Sequence, residues 1–167
     1  EYPDFNLYDY AVGFCPDLKL NDRYCSLPSP YLFFKSFITT NRNKIICLED
    51  AKNELSKKHG FCNFLYSNPN AHPMRDKLFH EISKYKKVDS LGKHLNNVME
   101  QGTGFVGHAH ECVSKKSPYK FSIASENATF NGYTSEKILT SLEAHTIPIY
   151  WGDPLVCKHI NPKCFIN

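Results

Sequence analysis

The chain has 167 residues, enough for one ordinary domain, of which 41% are hydrophobic, 14% aromatic and 22% charged. That apolar content excludes a disordered chain, and no apolar run approaches the ~20 residues that a membrane-spanning helix needs. Twenty basic against 17 acidic residues give a net charge of +3. This is too balanced for a nucleic-acid-binding stripe and suits a small anionic ligand.

Taken in order, Asn6 to Phe14 predicts a short strand. Pro16 to Arg42 is rich in turn formers, with Pro28 and Pro30 close together. Ala51 to Lys58 is charged and helix-prone and marks a junction. Phe61 to Tyr66 reads as a strand, which Ser67-Asn68-Pro69-Asn70 breaks. From Pro73 to Tyr85, Met74, Leu78, Ile82 and Tyr85 recur at spacings of three and four, which predicts a helix with these residues on its inner face. Gly102, Gly104 and Gly107 predict a loop before the strand Tyr119 to Ala124. Ser135 to Ala144 predicts a helix with Ile138, Leu139 and Leu142 inside and Thr134 as its N-cap. Thr146 to Trp151 is a third strand, and Gly152-Asp153-Pro154 turns the chain away. Strand, helix, strand is the pattern of a parallel α/β sheet, whose ligands sit beyond the carboxyl ends of the strands.

The seven cysteines include no C-x-x-C pair, and several sit in apolar runs. Reduced thiols are favoured over a disulfide framework. His108, His110 and Cys112 alternate as zinc ligands on a strand would. The neighbouring glycines favour a loop with solvated histidines, and no metal site is assigned. Asn127-Ala128-Thr129 matches a glycosylation sequon, but the same Asn belongs to the candidate ligand pocket.

The sharpest constellation surrounds the start of the second helix. A helix N-terminus presents unpaired N–H groups and a positive dipole end to anions. Gly132 permits close approach there, Lys137 adds a full charge, Tyr133 offers a ring and a hydroxyl, and Glu136 an acceptor. Together they suit a ligand carrying phosphates and sugar hydroxyls. On spacing alone, a well-capped amphipathic helix is the favoured reading, and Arg75 reads as a surface charge.

The ordered set of motifs says more. Phe5-Asn6-Leu7-Tyr8-Asp9-Tyr10, Asn21-Asp22-Arg23-Tyr24, Ser67-Asn68-Pro69-Asn70 with Arg75, Tyr85-Lys86-Lys87-Val88-Asp89-Ser90 and Tyr119-Lys120-Phe121 come first. Glu126-Asn127, Gly132-Tyr133-x-Ser135-Glu136-Lys137, Ile147-Pro148-Ile149-Tyr150-Trp151-Gly152 and Asn161-Pro162-Lys163 follow. Over almost the whole chain this resembles the α-1,3/4-fucosyltransferases of glycosyltransferase family 10, above all the bacterial branch that makes Lewis-type antigens. Ser125 departs from the Phe usual before Glu-Asn, and Leu91-Gly92 from the usual small pair.

The resemblance implies an α/β fold of GT-B type, with a Rossmann-like parallel sheet and helices on both faces. Residues 1–55 would be the tail of the N-terminal, acceptor-side domain, and 56–167 a C-terminally incomplete GDP-fucose-binding domain. It implies inverting transfer of L-fucose from GDP-fucose to the N-acetylglucosamine of a lactosamine-type glycan. Arg75 and Lys137 would contact the donor diphosphate, and Asn127, Tyr133 and Glu136 would line the donor site. Glu1 and Glu136 are the catalytic carboxylate candidates; Glu1 is a candidate base by its likeness to the Glu-Ser-Pro of animal members, the alternative being a second glutamate slightly further upstream in bacterial members. No D-x-D pair occurs, so no metal or other cofactor is expected, and no nucleic-acid partner. Location is expected in the cytoplasm, at most peripheral at the inner membrane through regions outside these residues, or at the Golgi membrane for a eukaryotic source. The alternatives are a truncated, non-catalytic GDP-sugar-binding domain and a GT-B transferase with another donor.

Overall fold

The computed structural model describes residues 3–16, 22–27, 47–98 and 109–167. Glu1 and His108 lie outside them, as does the side chain of His110.

Strands β1 (Ala11–Gly13) and β2 (Tyr24–Ser26) form a small parallel pair, so the strand expected within Asn6 to Phe14 is present. Arg23 fastens the loop ahead of β1. Its guanidinium donates to the carbonyls of Asp9 (2.5 Å), Phe5 (2.8 Å) and Tyr8 and lies over the Phe5 ring. Helix α1 (Leu48–Ser56) starts at Cys47, whose N–H donates to the Asp50 carboxylate (3.2 Å), and buries no residue.

The main body is a parallel sheet of β3 (Gly60–Phe64), β4 (Val88–Ser90), β5 (Tyr119–Ser125) and β6 (Ile147–Trp151). Helices α2 (Met74–Tyr85), α3 (Ala109–Lys116) and α4 (Glu136–Glu143) connect the strands. The spatial order is β4-β3-β5-β6. Ile166 extends it at the β6 edge, donating to the Pro148 carbonyl (2.9 Å) and accepting from the Tyr150 N–H (2.7 Å).

Side chains on a strand alternate between faces, and β5 shows what each face covers. Ile123 joins Cys62, Phe64, Phe79 and Val88 under α2, while Ala124 joins Ile138, Tyr150, Val156 and Phe165 under α4. Helices therefore cover both faces, as expected. The α4 face is partly polar. Ser141 Oγ donates to Ser122 Oγ (3.2 Å), which donates to Asn63 Oδ1 (2.9 Å).

Three expectations change. The inner face of α2 is rotated: Tyr85 is 85% exposed, whereas Arg75 and Phe79 are buried beside the partly buried Leu78 and Ile82. Residues 109–116 are helix rather than loop, so positions 110 and 112 do not share a face as strand ligands would. Among the described residues no His, Cys, Asp and Glu cluster could hold a metal ion. The cap of α4 is Ser135, one place beyond Thr134, because Thr134 is engaged by Asp153. All seven cysteines are free thiols. No helix among the described residues is long and apolar enough to cross a membrane.

Candidate functional site

After β3 the sheet grows to one side through β4 and then to the other through β5. The carboxyl ends of β3 and β5 therefore diverge, the point where open α/β sheets leave a crevice for ligands. A cleft of about 260 Å³ lies there. Leu65 to Asn68 follow β3 into it, Asn127 follows β5, and Arg75 enters from the first turn of α2. Glu136 and Lys137 come from the first turn of α4, and Cys112, Lys116 and Thr140 complete the wall.

Arg75 is only 1% exposed, so the reading of a surface charge is overturned. Its Nη2 donates to Asn127 Oδ1 and to the Ser125 carbonyl (3.3 Å), and its Nη1 to the Asn68 carbonyl (3.4 Å). The guanidinium lies 4.1 Å from the centre of the Tyr66 ring, a cation–π contact. Its Nε has no partner. Tyr66 carries this platform. Its buried hydroxyl accepts from the Ser125 N–H (2.6 Å) and lies within hydrogen-bonding reach of the Ile123 (3.0 Å) and Ser125 (3.1 Å) carbonyls.

The α4 end is built on a residue to which sequence reasoning gave no role. Glu126 is fully buried. Its Oε1 accepts from the Ser135 N–H (2.7 Å), and its Oε2 from Ser135 Oγ (2.6 Å) and Lys137 Nζ (3.2 Å). Lys137 also reaches Ser135 Oγ (2.8 Å) and Glu136 Oε1 (3.5 Å). Burial pushes the Lys137 ammonium down, but Glu126 and Glu136 more than offset it, and the group is held above its ordinary value. Burial likewise raises the Glu136 carboxyl, but Lys137 and hydrogen bonds from its own N–H, Ser135 and Lys137 leave it below the ordinary value. Both are charged at neutral pH. Glu126 was visible in the Glu-Asn motif, but its partners lie nine and eleven residues further on.

Asp153 is the second buried carboxylate that sequence reasoning missed. Its Oδ1 accepts from the Gly132 N–H (2.8 Å) and its Oδ2 from Thr134 Oγ1 (2.7 Å), fixing the loop that delivers α4. Gly132 has φ +82, and a Cβ there would meet the Phe14 carbonyl at 2.0 Å. The close approach at this glycine is therefore made by the chain itself, near β1, and only glycine suits the position.

Among the expected site residues, Arg75, Asn127, Glu136 and Lys137 converge on the cleft. Tyr133 does not line it. Its ring packs against Phe14 (5.6 Å) and Phe130 (6.3 Å), on the side facing the amino-terminal segment. Glu1 lies outside the described residues. Ser125, where the family has Phe, is buried and offers its carbonyl to Arg75.

Comparison with known proteins agrees with this geometry. Residues 55–167 match the family model for the C-terminal part of glycosyltransferase family 10, the fucosyltransferases. The chain is 33% identical to an alpha-(1,3)-fucosyltransferase of Helicobacter pylori over an alignment covering 100% of this chain and 38% of that protein. A crystal structure of an alpha1,3-fucosyltransferase with GDP-fucose superposes with a TM-score of 0.73 at 33% identity, covering 100% of this chain and 54% of that one. A structure with GDP gives 0.72 at 34% identity over the same shares. The chain thus spans about half the length of the solved relatives it matches. Its α/β fold is the Rossmann-like, GT-B type expected. By matched length and identity, the chain belongs to glycosyltransferase family 10, the fucosyltransferases.

Proposed function

We propose that the chain carries the donor site of a GDP-fucose-dependent α-1,3-fucosyltransferase that moves L-fucose, with inversion, to the N-acetylglucosamine of a lactosamine-type glycan. The observation that carries the reading is the convergence of Arg75 and Lys137 on the switch-point cleft. As the sugar–phosphate bond breaks, negative charge grows on the departing diphosphate. Fixed cations stabilise charge at that position without reorganising. Arg75 offers a planar fork whose Nε is still unpartnered. Lys137, held by Glu126, offers a point charge at the helix end. Asn127 orients Arg75, and Glu136 faces the sugar and ribose hydroxyls. Glu1 is proposed as the base that takes the acceptor proton. Tyr133, whose ring packs on Phe14 and Phe130, acts electrostatically on Lys137 and so belongs to the same helix end.

Thermal melting of the full chain with GDP, GDP-fucose and UDP tests the donor assignment. A midpoint raised by both guanine ligands and not by UDP is expected. Equal shifts with UDP, or none with GDP, overturn it. Transfer of fucose to N-acetyllactosamine tests the reaction.

A further inference from the structure

One aromatic pair stands at the carboxyl end of the sheet outside both cores. Trp151, the single tryptophan of the chain, is the last residue of β6 and belongs to neither hydrophobic cluster. His72, two residues ahead of α2, stacks on its ring, with centres 4.4 Å apart and planes 26° from parallel. His72 is exposed and Trp151 half-buried, and neither lines the cleft. Both are nevertheless fastened to the residues that hold the cations. The Trp151 carbonyl accepts from the Glu126 N–H (2.8 Å), and the His72 N–H donates to the Asn127 carbonyl (2.8 Å). The side chains of Glu126 and Asn127 in turn hold Lys137 and Arg75. One dipeptide thus joins the stack to both cations.

The pair also carries two N–H donors. His72 Nδ1 accepts from the Met74 N–H (3.2 Å), which leaves the proton of the neutral ring on Nε2. Trp151 Nε1 has no partner among the described residues and is not buried. An aromatic surface edged by donors suits a ligand that is itself apolar on one side and polar at its rim. A pyranose is such a ligand, with axial C–H bonds on its face and hydroxyl oxygens around it.

We propose that the His72–Trp151 stack is a platform on which a pyranose ring of the reactants lies while Arg75 and Lys137 hold the diphosphate. This rests on the reading of the cleft as the donor site. No bond changes at the platform, which binds and orients the ring. The ring is either the fucosyl group of the donor or a sugar of the acceptor, and the two can be told apart.

As the sole tryptophan, Trp151 reports on its own platform. Its fluorescence in the full chain is followed as GDP, GDP-fucose and N-acetyllactosamine are added, the last with and without GDP, while calorimetry scores the binding of each. An emission change with GDP-fucose beyond that with GDP places the fucosyl ring on the stack. A change with N-acetyllactosamine places the accepting sugar there. Emission that neither sugar ligand changes beyond the effect of GDP, while calorimetry shows GDP-fucose bound, overturns the platform. This outcome includes stacking of the guanine base. Affinity for the ligand that moves the emission should fall on the order of tenfold in Trp151→Leu, less in Trp151→Phe, which keeps a ring, and severalfold in His72→Ala. GDP affinity should fall less in all three. Equal losses for GDP and the sugar ligand would show that the stack only braces Glu126 and Asn127, which also overturns the platform. The donor reading fails separately: if GDP-fucose does not bind, or Arg75→Ala and Lys137→Ala leave GDP affinity unchanged, the cleft is not the donor site and this inference falls with it.

Discussion

Glu126 Oε2 lies 3.2 Å from Lys137 Nζ, and the two meet at the first turn of α4 although eleven residues separate them. The carboxylate is fully buried, and its other contacts go to the Ser135 N–H and hydroxyl. One side chain thus caps the helix and aims its cation. A helix end otherwise leaves its first N–H groups unpaired, and a long lysine side chain is free to swing. Glu126 removes both freedoms before any ligand arrives.

Removing that charge should therefore be expensive. Glu126→Gln leaves Lys137 partly buried without its counter-charge, and breaking a buried pair costs about 3 kcal/mol. Urea unfolding should show a loss of that order. The coupling is specific: Lys137→Met in the same chain should recover at least about 1 kcal/mol of it in a double-mutant cycle. Strict additivity of the two changes would show that the pair is not coupled.

Arg75 and Lys137 each present a donor to the proposed diphosphate. Alanine at either position should weaken GDP binding by about 1.5–3 kcal/mol, roughly ten- to a hundredfold, the worth of a charge-assisted hydrogen bond. Arg75→Lys should restore little of it. A lysine cannot reach the Asn127, Ser125 and Asn68 oxygens and still offer a free edge to the cleft. Titration of GDP into each variant checks this, and near wild-type affinity in Arg75→Lys would show that a point charge suffices.

Arg75 also shows how much of the site was legible in the sequence. Strands β3, β5 and β6 and helices α2 and α4 followed from periodicity because their apolar spacing is local, whereas α3, β2 and β4 did not. The face of α2 did not. Counting apolar residues chose Met74, Leu78, Ile82 and Tyr85, but the helix is turned so that Arg75 and Phe79 meet the sheet. A buried guanidinium is allowed only because oxygens from two other loops, at Asn68 and at Ser125 to Asn127, reach it. No local pattern announces that. Glu126 and Asp153 were hidden for the same reason, since a carboxylate acquires its role from donors nine to 21 residues away. The placement of Tyr133 turned on Phe14, more than a hundred residues earlier, which packs against its ring. The anion-binding logic of Lys137 at a helix end was legible, because cap, glycine and cation are adjacent in the chain.

The fold itself should respond to the buried amine in alkali. Lys116 has a folded value of about 8 against an ordinary 10.5, so between these the unfolded chain binds more protons than the native one. Stability from this group then rises with pH across that window, by about 3 kcal/mol in all. Cys62, pushed up to about 12 by burial, acts in the opposite sense above pH 9. Lys58, also lowered by burial, acts in the same sense as Lys116. The quantity to read is therefore the difference between wild type and Lys116→Met. In urea melts that difference should shift in favour of the wild type as pH rises from 8 to 9.5. A difference that stays constant over this range would show that Lys116 is protonated throughout.

The last prediction separates the platform from the cations it carries. Tyr66 holds its hydroxyl against the Ser125 N–H and within reach of the Ile123 and Ser125 carbonyls, while its ring lies under the Arg75 guanidinium. Tyr66→Phe keeps the ring and the cation–π contact. It strips the buried Ser125 N–H of its acceptor, and leaving one buried donor unpaired costs about 1–3 kcal/mol. Unfolding in urea should show that loss. The N–H in question belongs to the last residue of β5, directly ahead of Glu126 and Asn127. The strand end that orders both site residues should therefore loosen, and GDP affinity should fall by a smaller factor than in Arg75→Ala. Tyr66→Leu, which also removes the ring, should lose more of both. If Tyr66→Phe matches wild type in stability, the Ser125 N–H has found another acceptor and the hydroxyl is not what fixes the end of β5.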